Sequence, residues 1–176
     1  GAVPLAGPLP QPCADRLGHE APTGLGPALF AAAIREGWEE TGLIIGTPGQ
    51  WSHDPSEDWV SYAATGHVPS ASDLSFVFRA ITPPGRPRRF DARFFVTDAA
   101  HIASDLDDFS RASDELSHLR WIAIDEVRGF DLPFITEVVL AEVMKSASAS
   151  PPELVPFFRN DDETSLFKRI GRPLDG

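Results

Sequence analysis

Apolar residues return every four positions at Phe30, Ile34 and Trp38, and the charged residues Arg35, Glu36, Glu39 and Glu40 fall between and after them. That period lays one apolar stripe along an α-helix and turns the carboxylates to the other side. Gly42 follows where a helix end needs a left-handed residue, and Leu43 comes next to fold back on the last turn. A helix is therefore predicted over residues 29–41. Residues 75–81 and 90–97 are short runs rich in aromatic and β-branched side chains, separated by Thr82-Pro83-Pro84-Gly85-Arg86-Pro87, which predicts a hairpin. Residues 118–124 have the composition of a third strand. Residues 56–64 read as a short helix, 125–127 as the start of a helical turn, and 136–146 as an amphipathic helix.

Between these elements the punctuation is dense. Pro4, Pro8, Pro10, Pro12, Pro22 and Pro27, with several glycines, predict an irregular loop over residues 1–28. Gly46, Pro48 and Gly49 mark a further loop. The Ser- and Ala-rich run 146–152 is a low-complexity linker, so residues 149–176 are expected to be a weakly ordered polar tail. The domain core is thus placed at residues 29–148, with no internal repeat.

Composition narrows the class. A chain of 176 residues, 42% hydrophobic, has room for one domain with a proper core. Its apolar stretches are too short or too interrupted to cross a bilayer, and no basic-then-apolar leader opens the sequence, so a cytoplasmic location is expected. The single cysteine, Cys13, can form neither an internal disulfide nor a zinc site and is read as a small residue in a loop. A net charge of −11 argues against nucleic acid or an anionic membrane as partner. A small phosphorylated ligand stays admissible, because divalent cations can bridge carboxylates to phosphates.

Glu36, Glu39 and Glu40, at i, i+3 and i+4, share a helical stripe about 100° wide. Arg35 stands four residues before Glu39 and can pair with it along the helix edge. Clustered like charges destabilise a helix, and hard divalent cations with oxygen ligands relieve them, which points to Mg²⁺ or Mn²⁺. For glutamates alone, a solvated acidic face is the commoner outcome. The surrounding string decides between the two.

That string, Arg35-Glu36-Gly37-Trp38-Glu39-Glu40-Thr41-Gly42-Leu43, resembles the second half of the box of the Nudix hydrolases. Each of that half's invariant residues is present. Gly37 replaces the usual aliphatic, which would loosen packing there, and the small residues Ala31, Ala32 and Ala33 before Arg35 are also usual. The first half does not match, since Ala21 and Pro27 stand where the box has Gly and Glu. Residues 1–10 look like the start of an insertion found in longer bacterial members and in animal relatives that cleave coenzyme A. Residues 81–96 and 115–122 also look like this branch.

The resemblance implies an α/β fold, a Nudix-type α/β/α sandwich with a mixed sheet, whose first strands and Gly-rich loop would lie upstream of Gly1. It implies metal-dependent hydrolysis of a diphosphate linkage in a nucleoside-diphosphate-type substrate. A coenzyme A derivative comes first, with ADP-ribose or another nucleotide sugar second. By position in the motif, Glu39 and Glu40 match the principal metal ligands. Glu36 matches a residue binding a further ion or the attacking water, and Arg35 matches the one that orients the carboxylates. Glu115, six residues before Trp121, matches a downstream carboxylate used as ligand or general base, or is an exposed loop glutamate. Because half of the box is absent, a non-catalytic Nudix-like nucleotide-binding module is the alternative. Unpaired sheet edges would favour association, so a homodimer is also among the expectations.

Other residues are read more plainly. His19, His53, His67, His101 and His118 lack ligand spacing. The basic cluster Arg86, Arg88, Arg89 and Arg93 suits either substrate phosphates or a solvated turn. Trp51 and Trp59 could stack a base, although core packing is the better default.

Overall fold

The computed structural model describes residues 5–11, 13–19, 21–85, 87–114, 116, 118–146, 154–161 and 164–171. The fold is mixed α/β and divides into two units, residues 1–74 with 97–121 and residues 75–96 with 122–176.

The first unit carries helices α1 (Cys13–Leu17) and α2 (Leu25–Thr41) and strand β1 (Gly46–Pro48). A 3-10 turn (Glu57–Trp59) then runs into α3 (Val60–Ala63), followed by β2 (His67–Pro69) and a second 3-10 turn (Ala99–His101). Strands β1 and β2 pair antiparallel, Thr47 opposite Val68. Their approach depends on Gly46: a β-carbon there would stand 2.5 Å from the Val68 carbonyl oxygen and collide with the Tyr62 hydroxyl. Tyr62 is fully buried, donates its hydroxyl to the Ile45 carbonyl at 2.8 Å, and meets Trp38 and Trp59 edge-on. Burial pushes its phenol pKa up.

The expected loop over residues 1–28 is corrected by α1 and by the earlier start of α2. Pro27 falls in the first turn of α2, where the backbone N–H has no intrahelical partner to lose, so this proline does not break the helix. Cys13 is likewise a buried helical residue and not a loop residue. The short helix expected over 56–64 is present as the 3-10 turn and α3. The loop expected around Gly46 is instead the two-stranded pair.

In the second unit, β3 (Ser75–Ile81) and β4 (Asp91–Val96) form the expected hairpin, with a register irregularity between Phe76 and Phe78. A 3-10 turn (Val127–Gly129) precedes α4 (Phe134–Ser146), which starts two residues before the predicted boundary. Strands β5 (Val155–Asp161) and β6 (Thr164–Ile170) complete a sheet in the order β4-β3-β5-β6. Strand β3 pairs antiparallel with β4 and parallel with β5, and β5 antiparallel with β6, so the sheet is mixed. Helix α4 packs on β3 around Val77, Phe78, Ala80 and Val139, with Phe94, Ile135 and Phe158 at the edge of that core.

Two expectations fail here. The predicted polar tail over 149–176 contains β5 and β6, which bury Val155, Phe157 and Ile170. The parallel pairing that orders β5 lies about eighty residues away in sequence at β3 and leaves no local signature. The predicted strand over 118–124 is irregular chain. Its Trp121, Ile122 and Ile124 are exposed, so β-prone composition without a neighbouring strand formed no ladder. Among the described residues, no helix is long and apolar enough to cross a membrane.

Candidate functional site

Helix α2 holds most of the candidate residues, and its sequence explains its shape. Ala31, Ala32 and Ala33 are strong helix formers in mid-helix, and the stripe predicted from spacing is buried at Phe30, Ile34 and Trp38. Gly42 ends the helix in the left-handed conformation at φ 76°, and its N–H donates to the Trp38 carbonyl at 2.9 Å. Thr41 adds a second stop: its hydroxyl donates to the Gly37 carbonyl and accepts from the Leu43 N–H at 3.1 Å.

Glu36, Glu39 and Glu40 all lie exposed on this helix, away from the buried stripe. Arg35 donates from Nη1 to both carboxylate oxygens of Glu39, at 2.8 and 3.0 Å, and stands 4.0 Å from Glu36. The carboxylate of Glu40 has no partner among the described residues, while its backbone carbonyl accepts from the Ser113 N–H at 3.3 Å. Glu115 lies outside the described residues. Among those described, no three Asp, Glu, His or Cys side chains converge as placed on one point that could hold a metal. What the helix offers is three hard oxygen donors on one accessible face, the donor chemistry that Mg²⁺ or Mn²⁺ takes. All three face solvent, with Glu39 held by Arg35.

Residues that sequence reasoning did not single out surround the end of this helix. The Arg111 guanidinium sits over the Trp38 indole, 5.1 Å from its ring centroid, and Trp38 Nε1 donates to the Ser61 hydroxyl at 3.1 Å. Beside them a cavity of about 250 Å³ is lined by Trp38, Ile44, Ser61, Thr65, Ser104 and Arg111, among others. No periodicity flags these positions, because Arg111 and Ser113 reach the helix from irregular chain.

The remaining candidates resolve toward structure. Trp59 is buried against Trp51 and Tyr62, and the half-buried Trp51 donates its indole N–H to the His67 carbonyl, so both take part in packing. Of the basic cluster, Arg86 lies outside the described residues, Arg88 and Arg89 are exposed, and Arg93 pairs with Asp91 at 3.1 Å. Asp91 also receives Nε and Nη2 of the buried Arg79, both at 2.8 Å, and the Arg79 guanidinium lies 4.6 Å from the Phe157 ring centroid. His101 stands 3.8 Å from Asp73, and the described histidines join no ligand group.

Compared with protein-family models, with curated proteins and with solved structures, the chain finds no match.

Proposed function

We propose that this chain is a Nudix-type hydrolase domain, built on the α/β/α sandwich of that family, that cleaves a diphosphate linkage in a nucleoside-diphosphate derivative. One observation carries the reading: the string from Arg35 to Leu43 forms the capped end of a helix that buries Phe30, Ile34 and Trp38 and displays Glu36, Glu39 and Glu40 to solvent. What sets this helix apart from a solvated acidic face is the string that carries it, which resembles the Nudix box.

In this mechanism Glu39 and Glu40 would hold Mg²⁺ or Mn²⁺, and Glu36 would bind a further ion or orient the attacking water. When bound, the metal supplies charge neutralisation at the diphosphate and lowers the pKa of water. Arg35 fixes the Glu39 carboxylate through its two hydrogen bonds, limiting the orientations from which that oxygen pair can approach an ion. Glu115 would serve as ligand or proton acceptor, a role that rests on the resemblance of sequence. Coenzyme A or an acyl derivative is the first substrate class to assay, with ADP-ribose and nucleotide sugars next; both rankings rest on the resemblance of sequence.

A second reading, a nucleotide-binding module without turnover, draws on the lack of three converged donors among the described residues. The two separate in one experiment on the full-length protein. Product release from a dinucleotide panel should require Mg²⁺ or Mn²⁺. Glu40→Gln should cut turnover at least about 100-fold, the upper end of what losing even an outer-shell partner costs. The metal-free melting temperature should not fall, since removing one of three clustered charges relieves repulsion. Tight nucleotide binding with no metal-dependent product in the wild type would select the binding module.

A further inference from the structure

The C-terminal end of α2 is gripped by one irregular segment at several points. The Ala103 N–H donates to the Ile44 carbonyl at 2.8 Å, and the Ile44 N–H donates back to the Ser104 hydroxyl at 3.1 Å. Ten residues on, the Ser113 N–H donates to the carbonyl of Glu40, and the Arg111 guanidinium covers Trp38. Between them the chain passes so close to Gly42 that a β-carbon there would stand 3.1 Å from that of Arg111. These contacts fall just past the helix and on its last turn, the turn that also carries Glu39 and Glu40.

We infer that residues 103–113 are a positioning strap for this carboxylate turn, with Arg111 acting through the Trp38 indole as its positioning residue. The inference rests on the hydrolase reading above. Its physical basis is leverage. A carboxylate at the rim of a helix stands about 6 Å from the axis, so a rotation of about 10° moves it by about 1 Å. Ligand distances in metal sites are held within about 0.2 Å. Trp38 and Glu39 are consecutive on one rigid turn, so whatever fixes the azimuth of the indole fixes that of the carboxylate. Ser61 holds the indole nitrogen, Tyr62 meets the ring edge-on, and Arg111 covers the ring with a cation. A guanidinium suits this last task because its planar cation stacks on an aromatic face.

The test uses the full chain with Arg111→Ala and Arg111→Lys. Amide hydrogen exchange is read at Gly42 and Ser113, and Mn²⁺ affinity is read by electron paramagnetic resonance of the free ion. Arg111→Ala should speed exchange at both amides and weaken Mn²⁺ binding about three- to tenfold, less than removal of a group bonded directly to a ligand. Arg111→Lys, which keeps a cation over the ring, should fall between it and the wild type. In turnover, the metal concentration for half-activation should rise while KM at saturating metal stays put. Should Arg111→Ala fail to fold, Arg111→Met keeps the stem beside Gly42, removes the charge and gives the same comparison. Unchanged exchange in a folded variant overturns the strap, and so does faster exchange with unchanged Mn²⁺ affinity. A wild type that binds Mn²⁺ at α2 without hydrolysing any dinucleotide counts against the hydrolase reading and leaves the strap to be decided by exchange and affinity.

Discussion

Gly37 sits inside α2 at a position where the Nudix box that this string resembles has an aliphatic residue, and nothing fills the space its missing side chain leaves. A β-carbon built there meets no heavy atom within 4 Å. Glycine in a helix interior costs about 0.5–1 kcal/mol relative to alanine, because more backbone freedom is lost on folding. Gly37→Ala should therefore raise stability by about that amount, seen as a higher urea midpoint at unchanged slope. A lower midpoint would mean that the last turns of α2 need the freedom glycine gives. The neighbouring glycines show what can be read at this scale. Gly42 was legible, because a left-handed stop after an apolar period is a local feature, and the structure gives it φ 76°. Gly46 was not, since its need for hydrogen in place of a β-carbon arises from Val68 and Tyr62, which chain order alone does not bring beside it.

Elements divide in the same way, by whether their stabilising partners are near in sequence. The α2 stripe, the β3–β4 hairpin and α4 could be predicted from period and turn residues because each is specified within its own stretch of chain. For α2 the consequence is measurable: Trp38 is 4% exposed, so Trp38→Ala should cost about 3–5 kcal/mol, against little or nothing for Glu36, Glu39 or Glu40 changed to Gln. A loss under about 1 kcal/mol would contradict the burial of that face. The β5–β6 pair is the opposite case, polar enough to resemble a tail yet holding Val155 and Phe157 in the core beside β3. Burying such side chains contributes about 1.5–3 kcal/mol each, so three of them, with Ile170, rival the whole stability of a domain. Ending the chain after residue 150 should thus abolish cooperative unfolding of the second unit and expose residues 75–96 to protease. A dispensable tail would leave both unchanged. The carboxylate face was also legible from its spacing, whereas the strap was not, for its contacts come from a segment with no period.

At the scale of the whole molecule, the acidic balance of −11 makes stability depend on how individual carboxylates are held. Asp91 is the instructive one. Burial works to raise its pKa, but the hydrogen bond and charge of Arg79, joined by Arg93, outweigh burial and hold it below the ordinary carboxylate value. A carboxyl whose pKa is depressed by folding binds fewer protons in the native than in the unfolded state. Its stabilisation is therefore present above the unfolded value of 3.8 and is lost as pH falls through the lower folded value. Replacing it exposes a second cost, because Arg79 is 3% exposed and would keep its charge with its bidentate partner gone. Asp91→Asn should accordingly destabilise the protein at pH 7 by about 1–3 kcal/mol, less than a fully buried pair would lose, since the Asp91 side chain is 38% exposed to screening solvent. As pH falls toward and below 3.8 the unfolded wild type takes up a proton at Asp91 before the native state does, so the stabilisation shrinks and the gap between the two urea midpoints should narrow as pH falls from 5 toward 3. The other carboxylates titrate in both proteins and cancel in that difference. A gap that stays constant over this range would show that Asp91 acts by shape and hydrogen bonding alone, and that its charge does not hold Arg79 in the sheet.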